Sequence, residues 1–312
     1  MIQNLQDVSE SGRSMQLCLF SVSYAGLWGQ TRLTLDQFID KAAKLGFNSV
    51  MLMAKRPHLS PLDADDQRIA QLKTSLRLAN LTCPVIGGYT DFSGFAAPEV
   101  PAVEMQIAYI HSLARLAAQL HDRPIVRIFT SYDRGNARLA WDQTASFIRE
   151  CCDRAADHNV TLAVQNHHDL AVHTDALIEF LATVDRPNCK LGFDAWSPAV
   201  RGEDLYAAAK KAAPHTVITT NADYVKLPAF QYDSDRVSYN PTGQLLRAVP
   251  FGQGFIDYPA YWRGLADGGF NGILSYEMCS PLRGGATEAN LDHCAASFLT
   301  WMKQHGPSLG LK

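Results

Sequence analysis

The sequence predicts a single (β/α)₈ barrel, and three observations lead to that fold. Eight short apolar runs of strand length alternate with eight longer segments of helical spacing along the 312 residues. No shift in composition and no linker interrupts the series, so we expect one barrel domain. Eight strand and helix pairs in strict alternation also fit a barrel better than a doubly wound sheet.

The predicted strands are short apolar runs that end in polar residues. They lie at residues 15–22, 48–53, 82–88, 125–130, 160–164, 189–193, 216–221 and 272–276. The predicted helices have apolar residues at helical spacing, at 34–45, 63–80, 101–120, 137–158, 174–184, 203–213, 258–267 and 286–302. Thr34 and Thr174 are predicted N-caps, and Gly46 is the predicted glycine at the end of the first helix. Residues 224–253 contain three prolines and predict an irregular lid or rim on the active-site face.

Composition and charge narrow the class of protein. The chain is 47% hydrophobic and 19% charged, as in an ordinary soluble enzyme, and its formal net charge of -3 gives no general attraction to nucleic acid. Seven cysteines without a Cys-x-x-Cys pair indicate free thiols in a reducing cytoplasm. We expect a flexible leader at residues 1–14, the barrel at 15–305 and a tail at 306–312, with no signal peptide and no membrane span.

A dense polar group follows the fifth predicted strand. The apolar residues up to Val164 run directly into Gln165, Asn166, His167 and His168, which would be costly to bury unless the chain had reached a cavity. Strand ends of a barrel converge on one pocket, so polar residues after the other strands are expected there too. Of the two histidines, we select His167 because it shares a strand face with Gln165.

Four of these strand-end residues suggest a metal site. Asp194 and Glu277 follow buried strands, and a buried carboxylate must be paired, metal-bound or catalytic. Together with Gln165 and Asn221 they would form an oxygen-rich ring suited to Mg²⁺ or Mn²⁺ more than to Zn²⁺. We therefore expect a divalent cation as cofactor.

The remaining strand-end side chains are expected to contact a substrate. Cationic and polar groups would hold its hydroxyls or a carboxylate, and aromatic rings, including Trp28 and Phe92, would pack on it. The predicted substrate-binding residues are Arg56, His58, Asp91, Arg127, Trp196, Lys226, Phe251 and Arg283.

Four segments together resemble the xylose-isomerase-like TIM-barrel superfamily of sugar phosphate isomerases and epimerases, the AP endonuclease family 2 type. They are Leu162-Ala163-Val164-Gln165-Asn166-His167, Gly192-Phe193-Asp194, the run at 250–257 and Gly272 to Glu277. The resemblance implies a cation held by a Glu, an Asp, a His and a Glu after strands five to eight. Asp194 and Glu277 match that pattern, whereas Gln165 and Asn221, with Asp223 as its possible substitute, depart from it.

These departures shape the predicted reaction. Ketose epimerases of the family use two carboxylates, and an amide at Gln165 can orient or ligate but cannot act as a base. We therefore expect a one-base isomerase or lyase that acts on a small sugar or keto-sugar, with catalytic His167 and Glu277, rather than a two-base epimerase. Barrels of this family often pair, so a homodimer is an expected assembly.

Two alternatives remain open from the sequence. A metal-free sugar-binding or partner subunit of the same fold would also show Gln165 and Asn221 where the family has ligands. An enzyme of endonuclease IV type would need a three-zinc cluster, and the sequence offers few histidines at strand ends and no basic bias. The metal content of the protein separates the first alternative from the enzyme.

Overall fold

A computed structural model describes residues 15–96, 99–131, 137–167 and 170–311. The expected leader and His168 lie outside these residues. Within them, eight parallel strands form a closed barrel. The barrel strands are β1 Leu17–Phe20, β2 Ser49–Met53, β3 Thr82–Gly87, β4 Ile125–Ile128, β5 Thr161–Gln165, β6 Cys189–Gly192, β7 Thr216–Asn221 and β10 Ile273–Tyr276. Around the barrel they follow the order β1, β10, β7, β6, β5, β4, β3, β2. The predicted (β/α)₈ barrel is confirmed.

Helices surround the barrel and cover its outer face. Those in the described residues are α1 Leu35–Leu45, α2 Asp66–Leu78, α3 Ala102–Leu120, α4 Ala137–Ala156, α5 Thr174–Val184, α6 Trp196–Arg201, α7 Leu205–Ala212, α8 Tyr258–Asp267 and α9 Glu288–His305. None of them is long and apolar enough to cross a membrane. Thr34 caps α1 in a reciprocal capping box with Gln37, and Gly46 ends it with φ of 92°.

The structure corrects three local predictions. His173 rather than Thr174 is the N-cap residue of α5, and the Glu203 carboxylate accepts a hydrogen bond from the Thr174 amide. The helix predicted at 203–213 begins only after its cap Asp204, and the short helix α6 precedes it. Residues 224–253 are mostly not irregular, because β8 Asp223–Asp233 and β9 Ser238–Val249 pair there as an antiparallel hairpin.

Two packed layers define where the site lies. One large cluster of buried side chains fills the space between strands and helices, and a smaller one fills the barrel interior. The inner cluster includes Cys18 and Phe20 on β1 and Met51 and Met53 on β2, so inward positions recur at every second residue. Ala163 on β5 and Ile218 on β7 belong to the same cluster. Gln165 and Thr220 follow Ala163 and Ile218 by two residues, and they begin the polar layer above this core.

Candidate active site

A cavity of about 280 Å³ opens at the carboxyl ends of the barrel strands. Six aromatic side chains line it: Phe20, Trp28, Tyr89, Phe129, Trp196 and Tyr224. The polar lining groups are Arg127, Gln165, His167, Asp194, Thr220, Glu277, Cys279 and Ser280. Active sites of barrel enzymes lie at this end, so the cavity is the candidate active site.

Gln165 and Asp194 meet across the ends of β5 and β6. The Gln165 Nε2 donates to Asp194 Oδ2 at 3.0 Å and to Thr220 Oγ1 at 2.8 Å. The Ser197 amide donates to Asp194 Oδ1. The Asn166 side chain donates to the Asp194 carbonyl oxygen and accepts a hydrogen bond from the Asp194 backbone amide. Burial nevertheless raises the pKa of Asp194 to about 6. This carboxylate is therefore held rigidly in a place that disfavours its charge.

Glu277 enters the same cavity from the end of β10. Its side chain is buried, with the residue only 7% exposed, and its pKa is raised to about 7. Burial is the main cause, the Arg127 guanidinium opposes it, and the charge of Asp194 adds to the increase. The Cys279 thiol lies 3.5 Å from Glu277 Oε1 and can donate a weak hydrogen bond.

The Arg127 guanidinium is a fixed positive charge inside the barrel. Only 1% of the residue is exposed, and its Nη1 donates to the Gly88 carbonyl oxygen at 3.1 Å. Its Cζ lies 4.2 Å from the Phe129 ring centroid and 5.1 Å from that of Tyr89. The Nε of Arg127 is buried and has no hydrogen-bond partner among the described residues.

His167 lines the cavity between two aromatic rings. Its ring centroid lies 5.4 Å from that of Phe129 and 5.6 Å from that of Trp196, with which it stacks. The packing restricts the direction in which the imidazole can point. Trp196 itself belongs to α6, so the short helix missing from the predicted elements positions a wall of the site.

Asn221 does not face the cavity, which corrects its expected position in the ring of metal ligands. Its Nδ2 donates to Thr219 Oγ1 and to the Ser275 carbonyl oxygen. Side chains alternate along a strand, and the inward residues near the end of β7 are Thr220 and Ala222. Asp223 is also no substitute, because its carboxylate accepts hydrogen bonds from the Gly252 and Gly254 amides at the base of the hairpin.

Of the predicted substrate contacts, Arg127, Trp196 and the aromatic Trp28 reach the cavity. Arg56 points away because it forms a bidentate ion pair with Asp63 at the surface. His58 is buried between Ser21 Oγ and the Leu33 carbonyl oxygen, and burial lowers its pKa to about 4.

Five other predicted contacts are placed outside the cavity lining. The Asp91 carboxylate accepts hydrogen bonds from Ser93, and the Lys226 ammonium lies over the Phe255 ring. Phe92 and Phe251 pack into the core between strands and helices. Arg283 comes directly after Leu282, which forms a β-bridge with Ala248 at the base of the hairpin, and the Arg283 backbone amide donates to the Ala248 carbonyl oxygen.

Several lining residues were not selected from the sequence. Thr220 and Tyr224 could have been found by counting in steps of two from Ile218, and Cys279 by the same step from Glu277. Phe20 and Phe129 have only their apolar character to mark them, and that signal is the same for core residues. Their part in the cavity could not be predicted.

Comparison with known proteins agrees with this architecture. No curated protein matches the sequence. The D-psicose 3-epimerase of Clostridium cellulolyticum H10, solved with D-tagatose, is 19% identical, with a TM-score of 0.71 over 93% of this chain and 99% of that one. A probable 3-DHS dehydratase involved in petrobactin synthesis in Bacillus anthracis is 17% identical, with a TM-score of 0.67 over 92% and 99%.

A third solved structure is a xylose isomerase-like TIM barrel protein from Mycobacterium smegmatis in complex with magnesium. It is 15% identical, with a TM-score of 0.66 over 95% of this chain and 98% of that one. At these identities the structures share the fold alone. The family described as xylose isomerase-like TIM barrel matches residues 39–298, which is most of the sequence. The chain therefore belongs to the xylose isomerase-like TIM barrel family.

Proposed function

We propose that this protein is an enzyme that removes a proton next to the carbonyl group of a small sugar or keto-sugar. The observation that carries the proposal is a pair of buried carboxylates, Asp194 and Glu277, beside the Arg127 guanidinium in one aromatic-walled cavity. A volume of about 280 Å³ is at the small end for ligand pockets and suits one monosaccharide-sized molecule. Structural neighbours named as an epimerase and a probable dehydratase support this reaction class.

The donor set fits a divalent cation of the magnesium type. Asp194 and Glu277 are two carboxylates whose pKa values are raised by burial, so a cation held by them would relieve an unfavourable state. Gln165 Oε1 is a buried acceptor without a hydrogen-bond partner among the described residues. Mg²⁺ and Mn²⁺ accept a site of few carboxylates completed by water, whereas zinc sites need more protein ligands.

The described residues contain no cluster of three or more His, Cys, Asp or Glu side chains suited to a metal. The proposed site therefore depends on Asp194, Glu277 and the amide of Gln165, and we expect the cation to be held weakly. When bound, it would supply positive charge to stabilise the oxyanion that forms as the proton leaves.

The chain's own residues would bind the substrate and move the proton. Arg127 would hold a hydroxyl or carboxylate oxygen with its guanidinium, and Trp28 and Trp196 would pack on the sugar ring. His167 would take the proton, because its imidazole lines the cavity and is fixed by stacking. Gln165 cannot take a proton, which favours isomerisation or elimination with one base over two-base epimerisation.

The test measures cation binding and turnover separately. Purified protein is titrated with Mn²⁺ and Mg²⁺ by calorimetry and then assayed on a panel of aldoses, ketoses and keto-sugars. Asp194→Asn and Glu277→Gln should each weaken cation binding and abolish turnover, whereas the control Asp63→Asn removes a carboxylate far from the cavity and should change neither. Unchanged cation binding and activity in both site variants would refute the assignment.

A metal-free sugar-binding or partner subunit is the second candidate. It is favoured by Thr220 and Ala222, which occupy the inward positions at the end of β7 and bring no imidazole or carboxylate. Sugar binding of equal strength with and without EDTA, together with no turnover on the panel, would support this candidate. In either case we propose the reducing cytoplasm as location, since all seven cysteines are free.

A further inference from the structure

Lys55 is a cation at the mouth of the barrel that the proposed reaction does not use. It comes just after β2, where Met51 and Met53 belong to the inner cluster and Ala54 belongs to the cluster between strands and helices. The Ala54 amide donates to the Gly87 carbonyl oxygen, so the pairing of β2 with β3 continues past Met53. Side chains of a strand point alternately to its two faces. Lys55 is therefore the next residue after Met53 that points into the barrel.

The Lys55 ammonium lies against the wall of the candidate active site. Its Nζ is 3.9 Å from the centroid of the Tyr89 ring, and Tyr89 lines the cavity. The Arg127 Cζ is 5.1 Å from the same centroid. The ammonium nitrogen and the guanidinium carbon are therefore at most about 9 Å apart, the sum of these two distances. Two positive charges thus share one side of the cavity.

These two cations have no acidic partner close by. Neither Lys55 nor Arg127 forms an ion pair with a carboxylate of the described residues. Lys55 is half-buried, and its pKa is lowered by burial and then by the charge of Arg127. Its flexible stem could instead carry the ammonium out into water. The Tyr89 ring offsets some of this cost, and an anion beside both cations would offset more.

The order of the strands places these cations across the cavity from the two buried carboxylates. In a closed ring of eight strands, the strand four places along lies on the opposite side. The strand β4, which carries Arg127, is four places from β10, which leads into Glu277. The strand β2, which leads into Lys55, is four places from β6, which leads into Asp194. The cavity therefore has a negative side and a positive side.

We propose that the substrate is a monosaccharide with a carboxylate group, and that Lys55 and Arg127 bind this carboxylate together. A carboxylate that accepts one hydrogen bond of roughly 2.8 Å from each cation spans up to roughly 9 Å between the ammonium nitrogen and the guanidinium carbon, so it can bridge them. The carbonyl end of the sugar then faces Asp194 and Glu277 on the other side. The carboxylate lies at the end of the molecule away from the carbonyl, as in a hexuronate.

The size of the cavity favours a carboxylate over a phosphate group. Its volume of about 280 Å³ is at the small end for a ligand pocket. A carboxylate adds a single oxygen atom to a hydroxymethyl group, whereas a phosphate ester adds a whole phosphoryl group. That the bound sugar acid is a substrate rests on the function proposed above, but its binding is tested without turnover.

Calorimetry with matched sugars measures the carboxylate site directly, in EDTA and again with Mn²⁺. D-Glucose, D-glucuronate and D-glucose 6-phosphate differ only in the group on the terminal carbon, and the galactose and mannose series are measured in the same way. In at least one series the uronate should bind at least about tenfold more tightly than the neutral sugar, as charge-assisted hydrogen bonds provide.

Lys55→Met keeps the length of the side chain without its charge. It should weaken uronate binding about tenfold and change the binding of the neutral sugar less than about twofold, whereas Lys55→Arg should keep most of the preference for the uronate. Thermal unfolding checks that each variant is folded, and Lys55→Gln takes the place of Lys55→Met if that variant is not.

Lys226→Met is the matched control, because the Lys226 ammonium also lies over an aromatic ring, 4.1 Å from the Phe255 centroid, but outside the cavity lining. It should leave every affinity unchanged. Uronates that bind no more tightly than neutral sugars in any series, or a Lys55→Met variant that weakens both equally or neither, would overturn the proposal. Tighter, Lys55-dependent binding of the 6-phosphates would overturn it in favour of a phosphate site. Lys55-dependent uronate binding without turnover would refute the proposed reaction and leave the carboxylate site standing.

Discussion

Replacing Glu277 by glutamine should stabilise the metal-free protein at high pH. The pKa of Glu277 is raised from its ordinary 4.5 to about 7, so the folded state binds its proton more tightly than the unfolded state. Stability therefore falls as pH rises from 4.5 to about 7, where the unfolded state has lost this proton and the folded state still holds it, and the loss is complete above about pH 7. At 1.36 kcal/mol for each pH unit between the two pKa values, the full cost is roughly 3 kcal/mol. The Glu277→Gln substitution keeps the shape of the side chain without that charge.

The measurement is urea unfolding of wild type and Glu277→Gln in EDTA across acidic to alkaline pH. The variant should be more stable by up to roughly 3 kcal/mol at pH above about 8, and the difference should disappear as pH falls to about 4. Asp63→Asn serves as control, because Arg56 lowers the pKa of that exposed carboxyl. A variant that is less stable at alkaline pH, or a difference that does not change with pH, would refute the reasoning.

Three further predictions follow from named contacts. His167→Asn should lower kcat at least about a hundredfold, as loss of a general base does, while cation binding measured by calorimetry stays unchanged; a small kcat effect would contradict its role. Burial lowers the pKa of His58 to about 4, so wild-type stability should fall as pH drops from 6.5 towards 4, by up to roughly 3 kcal/mol, and His58→Gln should lack this slope in urea unfolding. A Cβ on Gly87 would lie 2.6 Å from the Phe20 ring, so Gly87→Ala should cost about 1–3 kcal/mol in thermal unfolding and reshape the cavity floor.

The barrel could be predicted because each strand and helix carries its own local signal. The apolar run before Gln165 and the capping residues around α1 depend on contacts within a few residues. No such local signal shows which side chains at the end of β7 point into the barrel, because Thr219, Thr220 and Asn221 are all polar and all buried. Only the pairing of β7 with its neighbours decides that Thr220 faces Gln165 and Asn221 does not.

The hairpin was missed for a related physical reason. Proline removes a backbone donor and normally excludes a residue from the interior of a sheet. In a two-stranded ribbon both strands are edges, so Pro228 and Pro241 can sit within β8 and β9 without the loss of a ladder hydrogen bond on their free side. The prolines therefore exclude residues 224–253 from the central strands of a sheet but not from a two-stranded hairpin.

The charges in the cavity argue for a ligand more strongly than any single residue does. Asp194 and Glu277 raise the cost of folding because both carboxylates are buried and their charges repel. Arg127 reduces this cost at Glu277 alone, and the hydrogen bonds to Asp194 do not bring its pKa back to the ordinary value. Carboxylates held in fixed positions destabilise the empty folded state, but the same negative charges attract a positive ion or an electron-poor substrate when it enters the cavity. Buried carboxylates at these positions are therefore what a binding site requires, whereas packing alone would be better served by apolar residues there.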